Sequence, residues 1–240
     1  MKIRVKFAKQ GITRFIGHLD VMRYFQKLNR RAKLDIAYSG GFSPHQEMSF
    51  ATPLGLGVLS KAEYVDMEVN SLPEREALIE RMNAVSIPDL QILDIVLLPE
   101  DAKNAMSLLS AADYQVHFRE GKMPFSFEEL EIRFRTFLDA EEILALKETK
   151  KSSKIANIRP QIREGKVLED GIFLKLDTGS ASNLKPELVL KSFYEKEGLP
   201  FDANDLLIER LELYGEEEGG LLPLSEYGIR WEGALKQEIC

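Results

Sequence analysis

Hydrophobic and polar positions alternate strictly at the start of the chain, in Ile3-Arg4-Val5-Lys6-Phe7, the pattern of a strand with one buried face. The period then changes. From residue 18 to about 32, Leu19, Met22, Phe25 and Leu28 recur at threefold spacing, which predicts an amphipathic helix. Arg23, Lys27, Arg30 and Arg31 fall on its opposite side. A short strand is expected at 34–38, followed by a glycine- and proline-rich stretch from Gly40 to Gly57 that is too long for a hairpin turn. Tyr64–Val69 alternates again, Pro73 opens a helix to about Ala84 with acids in its first turn, and 90–98 closes the unit as a strand.

The second half repeats this order without sequence identity. Strands are expected at 112–119, 143–149, 155–162, 172–177 and 206–214. Helices are expected from the cap Ser126 to about Leu138 and over 186–196. The fold expectation is therefore α+β, as two tandem ferredoxin-like units (β-α-β-β-α-β) with antiparallel sheets. The domain boundaries read as 1–105, 106–215 and an acidic tail at 216–240 that ends in a small apolar cluster around Ile229 and Trp231.

Composition excludes several classes of chemistry. The 240 residues carry a net charge of −7, 44% hydrophobic residues and a single cysteine, Cys240, so neither an internal disulfide nor a cysteine-built zinc site is available. No apolar run reaches the roughly 18–20 residues needed to span a bilayer. MKIRVKFAKQ also lacks the continuous apolar centre of a secretory signal. A cytoplasmic location without membrane contact is the expectation.

Charge is segregated along the chain. Residues 1–61 hold eleven Lys/Arg against three acids, a net of +8 that leaves −15 for the remainder. Within that remainder, 147–166 is a second basic island of +5, whereas 195–240 has twelve acids and four bases. An acidic protein that focuses its positive charge this way fits a polyanionic partner, and the alternative is that the basic residues scatter over separate solvated faces.

The candidate chemistry lies mainly between Arg14 and Val58. Gly40 and Gly41 permit positive φ, and a glycine loop of this kind either cradles an anion or simply turns the chain. Ser43 adds a donor, and Phe42 and Phe50 offer faces for base stacking. His18 and His45 are suited to proton transfer near neutral pH, with Asp20 and Glu47 two residues beyond them, or else they cap the helix and order the loop. In the second island, Lys150, Lys151, Lys154 and Arg159 are candidate phosphate contacts.

RFIGHLDVMRYFQKLNRRA, AYSGGFSPHQEMSFATPLGLGV, EYVDMEV and NIRPQI together resemble the radical-SAM-linked protein family, a bacterial domain of unknown function. The resemblance runs from Met1 to about Tyr214 and is most specific over Phe15–Glu68. It implies a partner, because members occur beside or fused to a radical-SAM protein with a cobalamin-type domain. It assigns no catalytic residue and no cofactor to this chain, whose single cysteine does not suffice for an iron–sulfur cluster. The leading expectation is a non-catalytic adaptor that binds RNA through a basic cleft formed by Arg14, Arg23, Lys27, Arg30, Arg31, Gly40, Gly41, Ser43, His45, Lys150, Lys151, Lys154 and Arg159. One alternative is a metal-independent endoribonuclease using His18 and His45. Another is a protein–protein scaffold that docks on the radical-SAM partner without RNA.

Overall fold

A computed structural model describes residues 1–148 and 153–236. In chain order its elements begin with β1 (Lys2–Lys9), α1 (His18–Arg31), β2 (Met48–Phe50), β3 (Leu59–Glu68), β4 (Ser71–Leu72), α2 (Arg75–Ala84), β5 (Ile92–Leu98) and α3 (Ala105–Leu108). There follow β6 (Leu109–Phe118), α4 (Phe127–Leu138), β7 (Leu144–Glu148), β8 (Ser153–Asn157), β9 (Ile162–Leu168), β10 (Gly171–Asp177), α5 (Pro186–Lys196), β11 (Leu206–Glu217), β12 (Gly220–Pro223) and β13 (Leu235–Lys236). The chain divides into one unit made of Met1–Leu109 and Glu212–Cys240, and a second made of Ser110–Leu211.

The expectation of two tandem ferredoxin-like units with antiparallel sheets does not hold. The architecture is a mixed α/β one with a nine-stranded mixed sheet ordered β5-β1-β3-β11-β6-β10-β9, from which β2 branches at β3 and β12 at β11. Two smaller two-stranded sheets, β13-β4 and β7-β8, stand apart from it. Alternation reveals where a strand runs but not which strand it pairs with, and β11 is the strand that defeats the simple count: its residues fall in both units. The strand expected at 34–38 is reduced to two isolated bridges, Ile36 to Val69 and Tyr38 to Gln46. The one expected at 155–162 is interrupted by a 3-10 turn at Arg159–Gln161 and separates into β8 and β9.

In the first unit, Ile3, Val5 and Phe7 put one face of β1 into a core shared with Val65 and Met67 of β3, Phe25 and Leu28 of α1, and Leu78 and Met82 of α2. Each such side chain stabilises the fold by about 1.5–3 kcal/mol on burial. The Phe7 and Phe25 rings lie 4.7 Å apart, and Phe50 meets Phe25 edge-on at 5.5 Å. The opposite face of β1 is not solvated as the alternation implies. Arg4 is 1% exposed and faces its cross-strand neighbour Asp66 on β3, donating from Nε at 2.7 Å and from Nη2 at 3.0 Å. Its remaining donors reach the carbonyls of Leu224 and Lys103, while Asp66 Oδ2 also accepts the amide of Ala105 at 2.7 Å. Two residue pairs along, on the same face, Lys6 and the Tyr64 hydroxyl both reach Glu212 at 2.6 Å. Burial pushes the Tyr64 phenol far above its ordinary range, and the Glu212 charge pushes it further.

The C-terminal segment closes the first unit. Ile229 exchanges two backbone hydrogen bonds with Leu97 on β5, Trp231 is buried and donates to the Pro73 carbonyl at 3.0 Å, and β13 pairs with β4. In the second unit, β10 lies between β6 and β9, and Ser126 caps α4 by accepting from the Glu129 amide. Gly165 on β9 lets α4 approach closely, since a Cβ there would stand 2.7 Å from Leu138 Cδ1.

The Arg4–Asp66 pair yields a stability prediction. Asp66→Ala strands a buried guanidinium and is expected to lower the unfolding free energy by about 3–5 kcal/mol, read as an earlier urea midpoint. The double variant Arg4→Met, Asp66→Leu should lose clearly less, and an unchanged midpoint in the single variant would contradict the network.

Candidate functional site: a basic helix and its aromatic loop

Helix α1 starts at Gly17 and ends where Lys33 turns into the left-handed region (φ 50°), with Arg30 and Arg31 in its last turn, where the helix dipole favours positive charge. Its core side is Val21, Phe25, Leu28 and Asn29. Leu19, expected on that side, is 66% exposed. It heads an outward ridge that continues through Arg23, Lys27 and Arg30 at helical spacing, all exposed, with Arg31 exposed beside it. Arg23 pairs with Asp20 at 3.2 Å on the surface, a contact worth a few tenths of a kcal/mol at most. Lys27, Arg30 and Arg31 form no ion pair among the described residues.

The chain reaches the glycine loop through Asp35, whose carboxylate accepts from Asn70 and Ser71; those two hydrogen bonds hold its pKa below the usual range. The loop itself is closed at its base. The Ser39 amide donates to the His45 carbonyl at 2.9 Å, the His45 amide donates to Ser39 Oγ at 3.0 Å, and the His45 Nδ1 lies 2.8 Å from the same hydroxyl. Gly41 takes φ 96°, which a side chain would strain, while Gly40 has ordinary geometry and open space around it. Residues 40–45, including Ser43 and His45, are all exposed, and Phe42 at the tip reaches 111% of its reference exposure.

Gln46 fastens this loop to the helix. It is 4% exposed, accepts from Asn29 Nδ2 at 3.1 Å, and donates from Nε2 to the Gln26 carbonyl at 3.2 Å and the Tyr38 hydroxyl at 3.3 Å. The arrangement thus brings together Arg23, Lys27, Arg30 and Arg31 on α1 with a loop displaying Phe42 and Ser43. Tyr38, 53% exposed, stands at the loop's entrance.

At the other end of α1, the turn Gly11–Phe15 exposes Ile12 and Phe15 alongside Leu19. Leu56, also exposed, belongs to a segment tied to this turn by the Gly57 amide, which donates to the Arg14 carbonyl at 2.9 Å. Arg14 is half-buried with its guanidinium 4.7 Å over the Phe15 ring. Asp89 shapes this turn: its carboxylate takes the Ile12 amide at 2.9 Å and fills the space where a Cβ on Gly11 would stand.

The two histidines have different surroundings. His18 meets Phe50 edge-on at 5.4 Å and lines a small cavity with Phe7, Lys9, Val21, Phe50, Thr52, Leu54 and Glu63, whereas His45 is engaged with Ser39. Phe50 is buried there, so of the two phenylalanines proposed for stacking only Phe42 is available. Among the described residues, no three His, Cys, Asp or Glu side chains gather as a metal site would require.

In the second unit, Arg159 donates to the carbonyls of Leu138 (2.6 Å) and Ile162 (3.0 Å), so its fork braces the end of α4 against β9. Lys154 is exposed on β8, directly across from Lys147, whose ammonium donates to Gln161. Lys150 and Lys151 lie outside the described residues. Beside α4, a groove of about 310 Å³ is lined by Arg135, Arg159, Arg163 and Lys166 but also by Glu131, Asp139 and Glu164, a nearly balanced set.

A bacterial family, described as an uncharacterized protein conserved in bacteria (DUF2344), matches residues 2–186. The chain belongs to this family. The DUF2344 match takes in the basic helix, the glycine loop and the Gln46 pin. A search of curated proteins finds no match. Among the described residues of this DUF2344 protein, no helix is long and apolar enough to cross a membrane.

The sequence reading missed the pin and the apolar knuckle. Asn29 and Gln46 are ordinary polar residues whose burial only the fold reveals, and Leu19 fits the core periodicity while standing one position outside it. Replacing Gln46 with Ala leaves Asn29 and Tyr38 without their partner. Hydrogen–deuterium exchange of the Ser39 and His45 amides, the two that close the loop base, is expected to accelerate by an order of magnitude or more, matching the loss of roughly 1–3 kcal/mol of local stability. Unchanged exchange in that segment would show that the loop is held by other means.

Proposed function

We propose that this protein is a non-catalytic adaptor that holds RNA on the α1–glycine-loop face for a radical-SAM partner. The observation that carries the RNA half is the row of Lys27, Arg30 and Arg31, unpaired among the described residues and exposed on one helix of a chain with net charge −7. Keeping like charges together with no carboxylate in ion-pair contact has an electrostatic cost, and a phosphate backbone offsets it. The exposed loop adds the Ser43 hydroxyl and backbone amides as donors to phosphate oxygens. The partner half is supported by the resemblance of Phe15–Glu68 to radical-SAM-linked proteins.

Binding is favoured over cleavage because His18 and His45 are engaged with different neighbours, Phe50 and Ser39, rather than with each other. The apolar knuckle of Ile12, Phe15, Leu19 and Leu56 supports a second reading, in which this end of α1 docks on the partner protein. The two readings divide the helix between them, with the apolar end for protein and the basic end for RNA.

Fluorescence anisotropy of a labelled RNA across about 50 to 200 mM salt tests the proposal. Three phosphate contacts give a log–log slope near −2 for a single strand. Lys27→Glu with Arg30→Glu is expected to weaken binding more than tenfold and to flatten that slope. Salt-independent binding, or none, would overturn the RNA reading. Co-purification with a radical-SAM chain that survives nuclease treatment would favour docking through the knuckle alone.

A further inference from the structure

We propose that the ligand of this face is single-stranded RNA, and that Phe42 receives one unpaired base by stacking. The inference rests on the RNA reading above and narrows it.

Phe42 is the most exposed large apolar residue among those described, at 111% of its reference exposure. The exposure is not that of a slack loop. Ser39 and His45 are joined by three contacts of 2.8 to 3.0 Å, Tyr38 bridges to Gln46, and Gln46 is itself bound to two successive turns of α1. A chain with many buried positions for aromatics holds this ring out on a braced support, and that serves a ligand rather than the fold.

The neighbours decide the class of ligand. The residues that flank Phe42 along the loop are Gly40, Gly41, Ser43, Pro44 and His45, all exposed and none a large apolar side chain; the one aromatic of the loop's base is Tyr38, whose hydroxyl is held by Gln46. Protein-binding anchors sit amid apolar and aromatic neighbours that exclude water, and the residues flanking Phe42 in the loop supply none. A nucleobase needs only one free aromatic face, and every base has a π-face to offer. Gly40 and Gly41 carry no side chain to obstruct a base coming over the ring, and nothing lies within 4 Å of where their Cβ atoms would be. The cations that would hold the flanking phosphates are on the helix to which Gln46 ties the loop. A duplex keeps its bases stacked on one another and presents no face to such a ring, so the geometry selects unpaired segments: loops, ends or linear strands.

The test compares an unstructured RNA of about 12 nucleotides with the same sequence annealed to its complement, on the wild-type chain, Phe42→Ala and Phe42→Trp. Base–aromatic stacking is worth roughly 1–3 kcal/mol by alanine substitution, so Phe42→Ala should weaken single-strand binding about 5- to 150-fold with an unchanged salt slope. Phe42→Trp should retain affinity, and its fluorescence should be quenched by the RNA above the background of the buried Trp231. The duplex should bind at least tenfold more weakly than the strand. Because Phe42 touches no core residue, the variants are expected to fold, which the urea midpoint checks. Equal strand and duplex binding, unaffected by Phe42→Ala but lost in Arg30→Glu, would overturn the stacking inference and leave the RNA reading intact. Absence of binding to either RNA would overturn both. Phe42-dependent binding to anionic phosphatidylserine vesicles, with none to RNA, would also overturn both and assign the ring to a lipid surface.

Discussion

Gln46 makes one surface of two segments. Its amide bonds to Asn29, to the Gln26 carbonyl and to Tyr38, so that the loop after the last helical turn folds back along the helix it has just left. Without that buried amide, the glycines at 40 and 41 would permit many loop positions, and Phe42 would be an exposed ring with no fixed relation to Lys27 and Arg30. Both ends of the buried Gln46 amide are engaged, and a satisfied buried amide favours one arrangement of the loop over others. The adaptor proposal depends on that specificity, because helix cations and loop aromatic must act on one ligand at the same time.

The surface is supported by a core that is conventional on one side of β1 and highly polar on the other. Ile3, Val5 and Phe7 carry α1 through Phe25 and Leu28. Behind them, Arg4 and Asp66 are locked to each other and to backbone groups from 103–105 and Leu224. Here a positive charge of the basic N-terminal segment is structural, used to fasten the unit's own distant segments together. Arg159 is a second such case, bound to two carbonyls. Net charge along a sequence therefore overstates the charge available to a ligand, and the helix ridge matters because its cations are not spent in this way.

How much was legible beforehand follows from what each signal encodes. Period-2 and period-3.6 patterns report local geometry, so β1, α1, the Ser126 cap and the glycine loop were readable from residues alone. Pairing order is nonlocal, and the nine-stranded mixed sheet replaced the two expected repeats because nothing in the β11 sequence announces that it belongs to both units. Among the candidate residues, Arg23, Lys27, Arg30 and Arg31 could be placed on one face by spacing. The demotion of Phe50 into the core, the exposure of Leu19 and the pinning role of Gln46 depend on tertiary neighbours that no window of sequence contains.

Ultraviolet crosslinking of the protein to a short unpaired RNA, followed by mass spectrometry of the adducted peptides, asks most directly whether the helix and its loop form the working surface. The account expects adducts on the peptide that carries Phe42 and on α1 between Arg23 and Arg31. Adducts confined to Lys147–Lys166 of the second unit, with the loop peptide unmodified, would contradict it.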